Sequence, residues 1–264
     1  MVIFNISKRD VMFGSELMIK AISVLLVFTI TCLSAVYPYI KRYRLSQAVT
    51  SPLGEALAAG VFLGAGLMHM LADASKSFGV LHVDYPIAYL LAGAMFLILL
   101  LIEHVGKEIF AHPKEGSHTI LALLAALMLS LHSFLAGSAL GLSSSLSVFF
   151  LVLIAILAHK SAASFALAVK LNQSNLRLST SLIIFAFFAL MVPFGAFFGW
   201  VVATKWSTYP MLDPVFNALA AGTFIYLGTL HGLRNFVKDE CCDLRQFFLV
   251  IFGFALMALV AIWA

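Results

Sequence analysis

The chain has 264 residues, 62% of them hydrophobic and only 11% charged, with a mean hydropathy of +1.05, far outside the range of soluble globular domains. A net charge of +4 gives no case for nucleic-acid binding, and the apolar runs are apolar on every face, unlike the alternating strands of a membrane barrel. What remains is an all-α polytopic membrane protein with a single transmembrane domain over residues 1–264.

Runs of about 18 or more apolar residues, long enough to cross a hydrocarbon core about 30 Å thick, predict eight helices near 17–39, 52–74, 85–106, 119–142, 145–170, 179–203, 211–233 and 245–264. The first, which holds Cys32, is longer than a signal-peptide core and lacks a small-residue cleavage site, so it is read as a retained helix. The second opens on Ser51 and Pro52, an N-cap and a first-turn proline, and a favourable charge at a helix start explains Glu55. Further along it, His69 and Asp73 stand four apart on one face, where carboxylate and imidazole can attract a cation and respond to pH, or equally form a simple hydrogen-bonded cap on the helix end.

The third helix ends in Glu103 and His104. The fourth carries His132 and Ser133, and the fifth His159 and Lys160. Small residues such as Gly137, Ala139 and Gly141, or Ala162, Ala163, Ser164 and Ala166, let these helices approach closely. In the sixth, Pro193 is expected to bend the helix and free a carbonyl. The seventh ends at His231. After it, the adjacent Cys241 and Cys242 in DECCD are no disulfide framework and read as an ordinary cytosolic loop, with a bound soft metal or a lipid as the alternative.

Lys41, Arg42, Arg44, Lys107, Lys114, Lys170, Arg177, Arg234, Lys238 and Arg245 fall on one side of this topology. Only Lys8, Arg9, Lys20, Lys76 and Lys205 fall on the other. The excess of positive charge marks the cytoplasmic side and predicts both termini outside.

Residues 58–69, AAGVFLGAGLMH, and 220–231, AAGTFIYLGTLH, are identical at six of twelve positions without gaps. They lie in helices two and seven, which cross in opposite directions, so the likeness is an inverted repeat in a 3+2+3 arrangement. Transporters are often built this way, with the substrate at the midplane. The competing explanation is shared membrane composition, against which the matching terminal histidine counts, since histidine is rare in lipid.

A charge at the centre of a spanning helix costs roughly 2.5–3.5 kcal/mol on insertion scales, so such groups face a bundle interior or a cavity. Taken singly, His132 and His159 are each structural histidines more often than ligands. As a pair at equal depth on neighbouring helices, with Ser133 beside them, they form the start of a site for zinc or a similar metal. Lys160 would place a fixed positive charge next to the ion, forbidding a second divalent cation and speeding release of the first. A structural bond to a backbone carbonyl is the alternative role for that lysine.

GVFLGAGLMHMLADA, HSFLAGSALGL, HKSAASFAL, VPFGAFFG and AAGTFIYLGTLH, in helices two, four, five, six and seven, resemble the ZIP (Zrt/Irt-like) metal-ion transporters, and the His-Lys pair resembles their subgroup of animal plasma-membrane zinc carriers. The resemblance implies uptake of zinc, with iron, manganese and cadmium as further candidates, toward the cytosol across the plasma membrane, and no prosthetic group. It implies a transport site at His132, Ser133 and His159 with Lys160 tuning its charge. An entrance and pH-sensing pair would be His69 and Asp73, and an exit would run past His231, Glu103, His104, His112 and His118. A homodimer follows by analogy. The family commonly has Glu where this chain has Ala136 and Ala163, an acid where it has His231, and Pro-Glu where it has Ala72 and Asp73, which makes the implied site more imidazole-based and less negative.

Two other functions fit the same residues. A transport-deficient metal sensor or assembly protein is suggested by Ala136. An intramembrane zinc hydrolase would need a general base near the histidines, and Asp73 and Glu103 sit toward opposite ends of the bundle.

Overall fold

A computed structural model describes residues 2–45, 51–109, 117–143, 146–205, 211–233 and 244–262. It contains eight helices: α1 (Val2–Leu45), α2 (Pro52–Val80), α3 (Ile87–Ile109), α4 (Ser117–Leu142), α5 (Leu146–Gln173), α6 (Leu178–Lys205), α7 (residues 212–233) and α8 (Leu244–Val260). No strand occurs among the described residues. Helices α1 to α6 are each long and apolar enough to cross a membrane, and α8 is a shorter apolar helix.

The apolar runs locate the helices well and their ends less well. Helix α1 starts at Val2 rather than at 17, because a helix propagates into polar sequence wherever no breaker stops it. Helix α2 continues past 74 to Val80 and ends in a turn where His82 adopts φ 57°. Helix α8 stops at Val260. Pro193 lies inside α6, which is helical on both sides of it.

The helices pack as α1 with α5, α2 with α8, α3 with α7 and α4 with α6. Exchanging helices one, two, three and four for six, seven, eight and five maps this set of pairs onto itself. Glycines show how closely the pairs approach. A Cβ on Gly60 would strike the Val250 carbonyl of α8, and one on its counterpart Gly222 would strike the Ala92 carbonyl of α3. Between α4 and α6, Gly137 and Gly141 face Gly195 and Gly199 in the same manner, the close contact that small residues allow in lipid.

Both copies of the repeat share an irregularity that the sequence does not announce. Helix α2 widens into a π turn at Ala65–Met70 and α7 into one at Leu227–Leu233, starting at aligned positions. Shared apolar composition does not explain a shared π turn, a rare feature concentrated at functional sites. Just before each turn stand Phe62 and Phe224, whose rings stack at 5.0 Å across the interface between the copies.

Helix α1 holds the ends of the central pair. Lys20 donates to the Ser143 carbonyl past the end of α4, at 3.1 Å. Arg42 reaches the Leu171 carbonyl and the Asn172 Oδ1 at 3.2 and 3.1 Å, and the Leu176 carbonyl at 2.5 Å, around the end of α5. Each cation meets the negative end of a helix. The central helices are thereby fixed in depth, which fixes the depth of the residues they carry.

Candidate metal centre

Helices α4 and α5 bring His132, Ser133, His159 and Lys160 together in the interior. All four side chains are buried, His132 and Lys160 at 2% exposure and His159 at 1%. The two imidazole rings meet edge to face with centroids 5.7 Å apart. Lys160 Nζ donates to Ser133 Oγ at 2.7 Å and lies 3.9 Å from the centroid of Phe188 on α6. Its buried ammonium is thus held by a hydroxyl and an aromatic face rather than a carboxylate.

Helix α7 forms the wall on which the histidines rest. Phe224 stacks on His132 with centroids 3.5 Å apart and meets His159 edge to face at 4.7 Å. Thr223 Oγ1 lies 2.7 Å from His132 Nδ1, and the Ala220 carbonyl lies 3.3 Å from the same nitrogen. The other ring nitrogen, His132 Nε2, is buried with no hydrogen-bond partner. A buried polar atom left without a partner carries a desolvation cost, and it is where an electrophile would be received.

His69, in the α2 π turn, is buried and pairs through Nδ1 with Asp73 Oδ2 at 2.8 Å. Lys76 stands 3.9 Å from Asp73 Oδ1. The π turn that carries His69 packs against α5, the helix of His159.

At the far end of α2, Glu55 Oε1 accepts from Gln173 Nε2 at 2.9 Å, and Glu55 Oε2 lies 3.8 Å from Lys170 Nζ. Glu55 does lie in the first turn of a helix that starts at Pro52, although Ser51 at the N-cap position makes no side-chain capping bond, and the same carboxylate also ties α2 to α5. Between this tie and Phe62 is a void of about 20 Å³, room for about one water.

Other sequence candidates stand apart. Glu103 is buried on α3, while the adjacent His104 points outward and lies 3.9 Å from the exposed Glu108. One is buried and the other exposed, so the two do not face the same surroundings. The backbone of His231 lies in the α7 π turn, but its side chain, that of His118, and all of His112, Cys241 and Cys242 lie outside the described residues. Ala136 and Ala163 are buried among apolar side chains. Among the described residues, no three His, Cys, Asp or Glu side chains form a cluster fit for a metal, so a centre at α4 and α5 has two imidazoles as its core. Thr223 and Phe224 escaped the sequence reading. The signal for Thr223 was its mismatch with Val61 in the aligned repeat.

Residues 112–261 match the family model described as ZIP Zinc transporter. The mouse (Mus musculus) protein named Zinc transporter ZIP2 is 28% identical, over 91% of this chain and 96% of its own length. Zinc transporter 11 of Arabidopsis thaliana is 28% identical over 98% of this chain and 89% of its length. Zinc transporter ZIP1 of Danio rerio is 35% identical over 59% of this chain and 50% of its length.

Proposed function

Because the chain belongs to the ZIP zinc transporter family, we infer that it carries a divalent metal ion, zinc foremost, toward the cytosol through a centre between α4 and α5. One group of helices moves against the other to open this centre to each side in turn. The observation that carries this reading is the unpartnered His132 Nε2, buried beside the ring of His159 at 5.7 Å between centroids. Two imidazoles sharing a tetrahedral zinc, with Zn–N of about 2.0–2.1 Å, hold their ring centroids about 5 Å apart. The observed separation needs only a small adjustment to match.

Two imidazoles and a hydroxyl leave coordination positions for water, which suits an ion in transit better than a closed structural site does. The ammonium of Lys160 disfavours a second divalent cation and keeps the first from binding too tightly. His69 and Asp73 serve the entrance. Glu103 and His231 mark the exit side, and the outward-facing His104 is not assigned to it. Iron, manganese and cadmium are further candidate substrates on the same nitrogen chemistry. The lysine and arginine count supports both termini on the outer side, the plasma membrane is the location expected from the resemblance, and a homodimer is the expected assembly.

The test is zinc flux into sealed vesicles holding the purified protein, with a panel of divalent ions. His132→Ala and His159→Ala should each lower zinc uptake by at least about 100-fold, as loss of a ligand does. Uptake kept by both variants overturns the site. Zinc binding without flux in the wild type would instead support the transport-deficient sensor, the reading that Ala136 suggests.

A further inference from the structure

We propose that Thr223 is a positioning residue of the metal centre, whose hydroxyl holds His132 in the tautomer that presents the Nε2 lone pair to the ion. The proposal rests on the reading of His132 as a ligand. A threonine hydroxyl has one proton to give. Thr223 Oγ1 lies 2.6 Å from the carbonyl of Ala220, one turn earlier on α7, and a carbonyl only accepts. With its proton committed there, Oγ1 faces His132 Nδ1 at 2.7 Å as an acceptor. The second group near Nδ1 is the same Ala220 carbonyl, at 3.3 Å.

Nδ1 thus meets two acceptors and carries the ring hydrogen. A neutral imidazole has one N–H, so the lone pair is left on Nε2, the atom that is buried with no partner in the protein. In the opposite tautomer Nδ1 would turn its lone pair toward the Ala220 carbonyl, and a buried Nε2–H would have nothing to receive it. An outer hydrogen bond that fixes the tautomer of a ligating histidine also raises its basicity. Phe224, the next residue along, stacks on the ring and sets its plane. One step of α7 therefore fixes both the orientation and the protonated nitrogen of His132. Val61, at the same place in the α2 copy, has no hydroxyl to offer.

Thr223→Val removes the hydroxyl and keeps the shape, whereas Thr223→Ser keeps the hydroxyl. In metal-free protein with ¹⁵N-labelled histidine, the His132 signals are identified by their absence from His132→Ala. They should report Nδ1–H in the wild type and in Thr223→Ser, and a mixture of tautomers in Thr223→Val. In vesicles, Thr223→Val should raise the apparent KM for zinc by about 10–100-fold, the usual cost of losing such a partner, with the maximal rate per folded protein little changed. Thr223→Ser should restore the KM. Melting of the metal-free protein checks folding, and Thr223→Ala carries the test should Thr223→Val fail to fold. A wild-type tautomer and KM in Thr223→Val overturn the proposal. If His132→Ala abolishes uptake while Thr223→Val behaves as wild type, only the role of Thr223 fails. If His132→Ala transports normally, the ligand reading fails first.

Discussion

Helices α2 and α7 are two copies of one design that supply the centre with different chemistry. Each begins with proline in its first turn, Pro52 and Pro214, and each passes a glycine pressed on a neighbouring backbone. Each reaches a phenylalanine and then widens into a π turn. Yet α7 gives His132 a hydroxyl from Thr223 and a stacked ring from Phe224, whereas α2 supplies Val61 and Phe62 at those places and His69 paired with Asp73 further on. The lesson is a division of labour. What holds the helices together is repeated, and what lines the proposed centre is not.

The largest effect that separates the copies should come from the two phenylalanines. Phe224 makes ring contacts with His132, His159 and Phe62, whereas among the ring contacts of the described residues Phe62 meets Phe224 and neither histidine. Phe224→Ala and Phe62→Ala should both destabilise, each by about 3–5 kcal/mol at most, since either truncation opens a cavity. In lipid the loss is one of packing contacts rather than of escape from water. Zinc affinity should fall about tenfold or more only in Phe224→Ala, where the His132 ring loses its support. Equal loss of affinity in the two variants, measured by competition with a chelator, would erase the functional distinction between the copies.

Next in size are the glycines, where the copies should behave alike. Gly60→Ala and Gly222→Ala each drive a methyl group into a neighbouring carbonyl, of Val250 and Ala92 respectively. Overpacking of this kind costs roughly 1–3 kcal/mol. Thermal melting in detergent should show two similar decreases. A large difference between them would mean that the two interfaces do not carry equal weight.

Much of this was legible before any coordinates. Apolar length placed eight helices, and the six matches between 58–69 and 220–231 exposed the repeat. The cost of burying imidazole and ammonium in lipid singled out the residues that now cluster on α4 and α5. The π turns were not legible, because Ala65–Met70 and Leu227–Leu233 have no composition that distinguishes them from ordinary helix, and only the packing of the whole bundle selects the wider turn. Thr223 was hidden for a related reason. Threonine in an apolar helix usually satisfies itself on a carbonyl one turn back, as this one does with Ala220, and its free acceptor side matters only once α4 is placed beside it. Glu55 was explained locally as a helix-start charge, and that explanation was incomplete because its partners lie more than a hundred residues away.

A smaller effect is expected at Asp73, which lies on the α2 copy alone. Asp73→Asn keeps the volume but weakens the contact to His69 Nδ1 by removing the charge. The loss is of order 1 kcal/mol for a partly exposed charge contact turned neutral, equivalent to a KM raised by about threefold to tenfold. The entrance role proposed for Asp73 predicts that the maximal rate holds. A fall in maximal rate at unchanged KM would move this residue from the entrance to the transport step.

The smallest effect should be at Glu55, and its smallness is informative. In the α7 copy the aligned residue is Asn217, so the tie from α2 to α5 is another departure from symmetry. The Glu55 and Lys170 charges are 3.8 Å apart and partly reached by solvent, with side chains 16% and 20% exposed, and such a pair contributes about 1 kcal/mol or less. Glu55→Gln keeps an oxygen for Gln173 Nε2 to donate to, so it should shift the melting temperature slightly and leave zinc KM within about twofold of the wild type. Glu55→Ala, which loses both partners, should cost somewhat more stability and still leave KM alone. If either variant instead impaired zinc uptake as severely as Phe224→Ala, the small void between Glu55 and Phe62 would have to be read as part of the ion's way out, with Glu55 as a group the ion meets there.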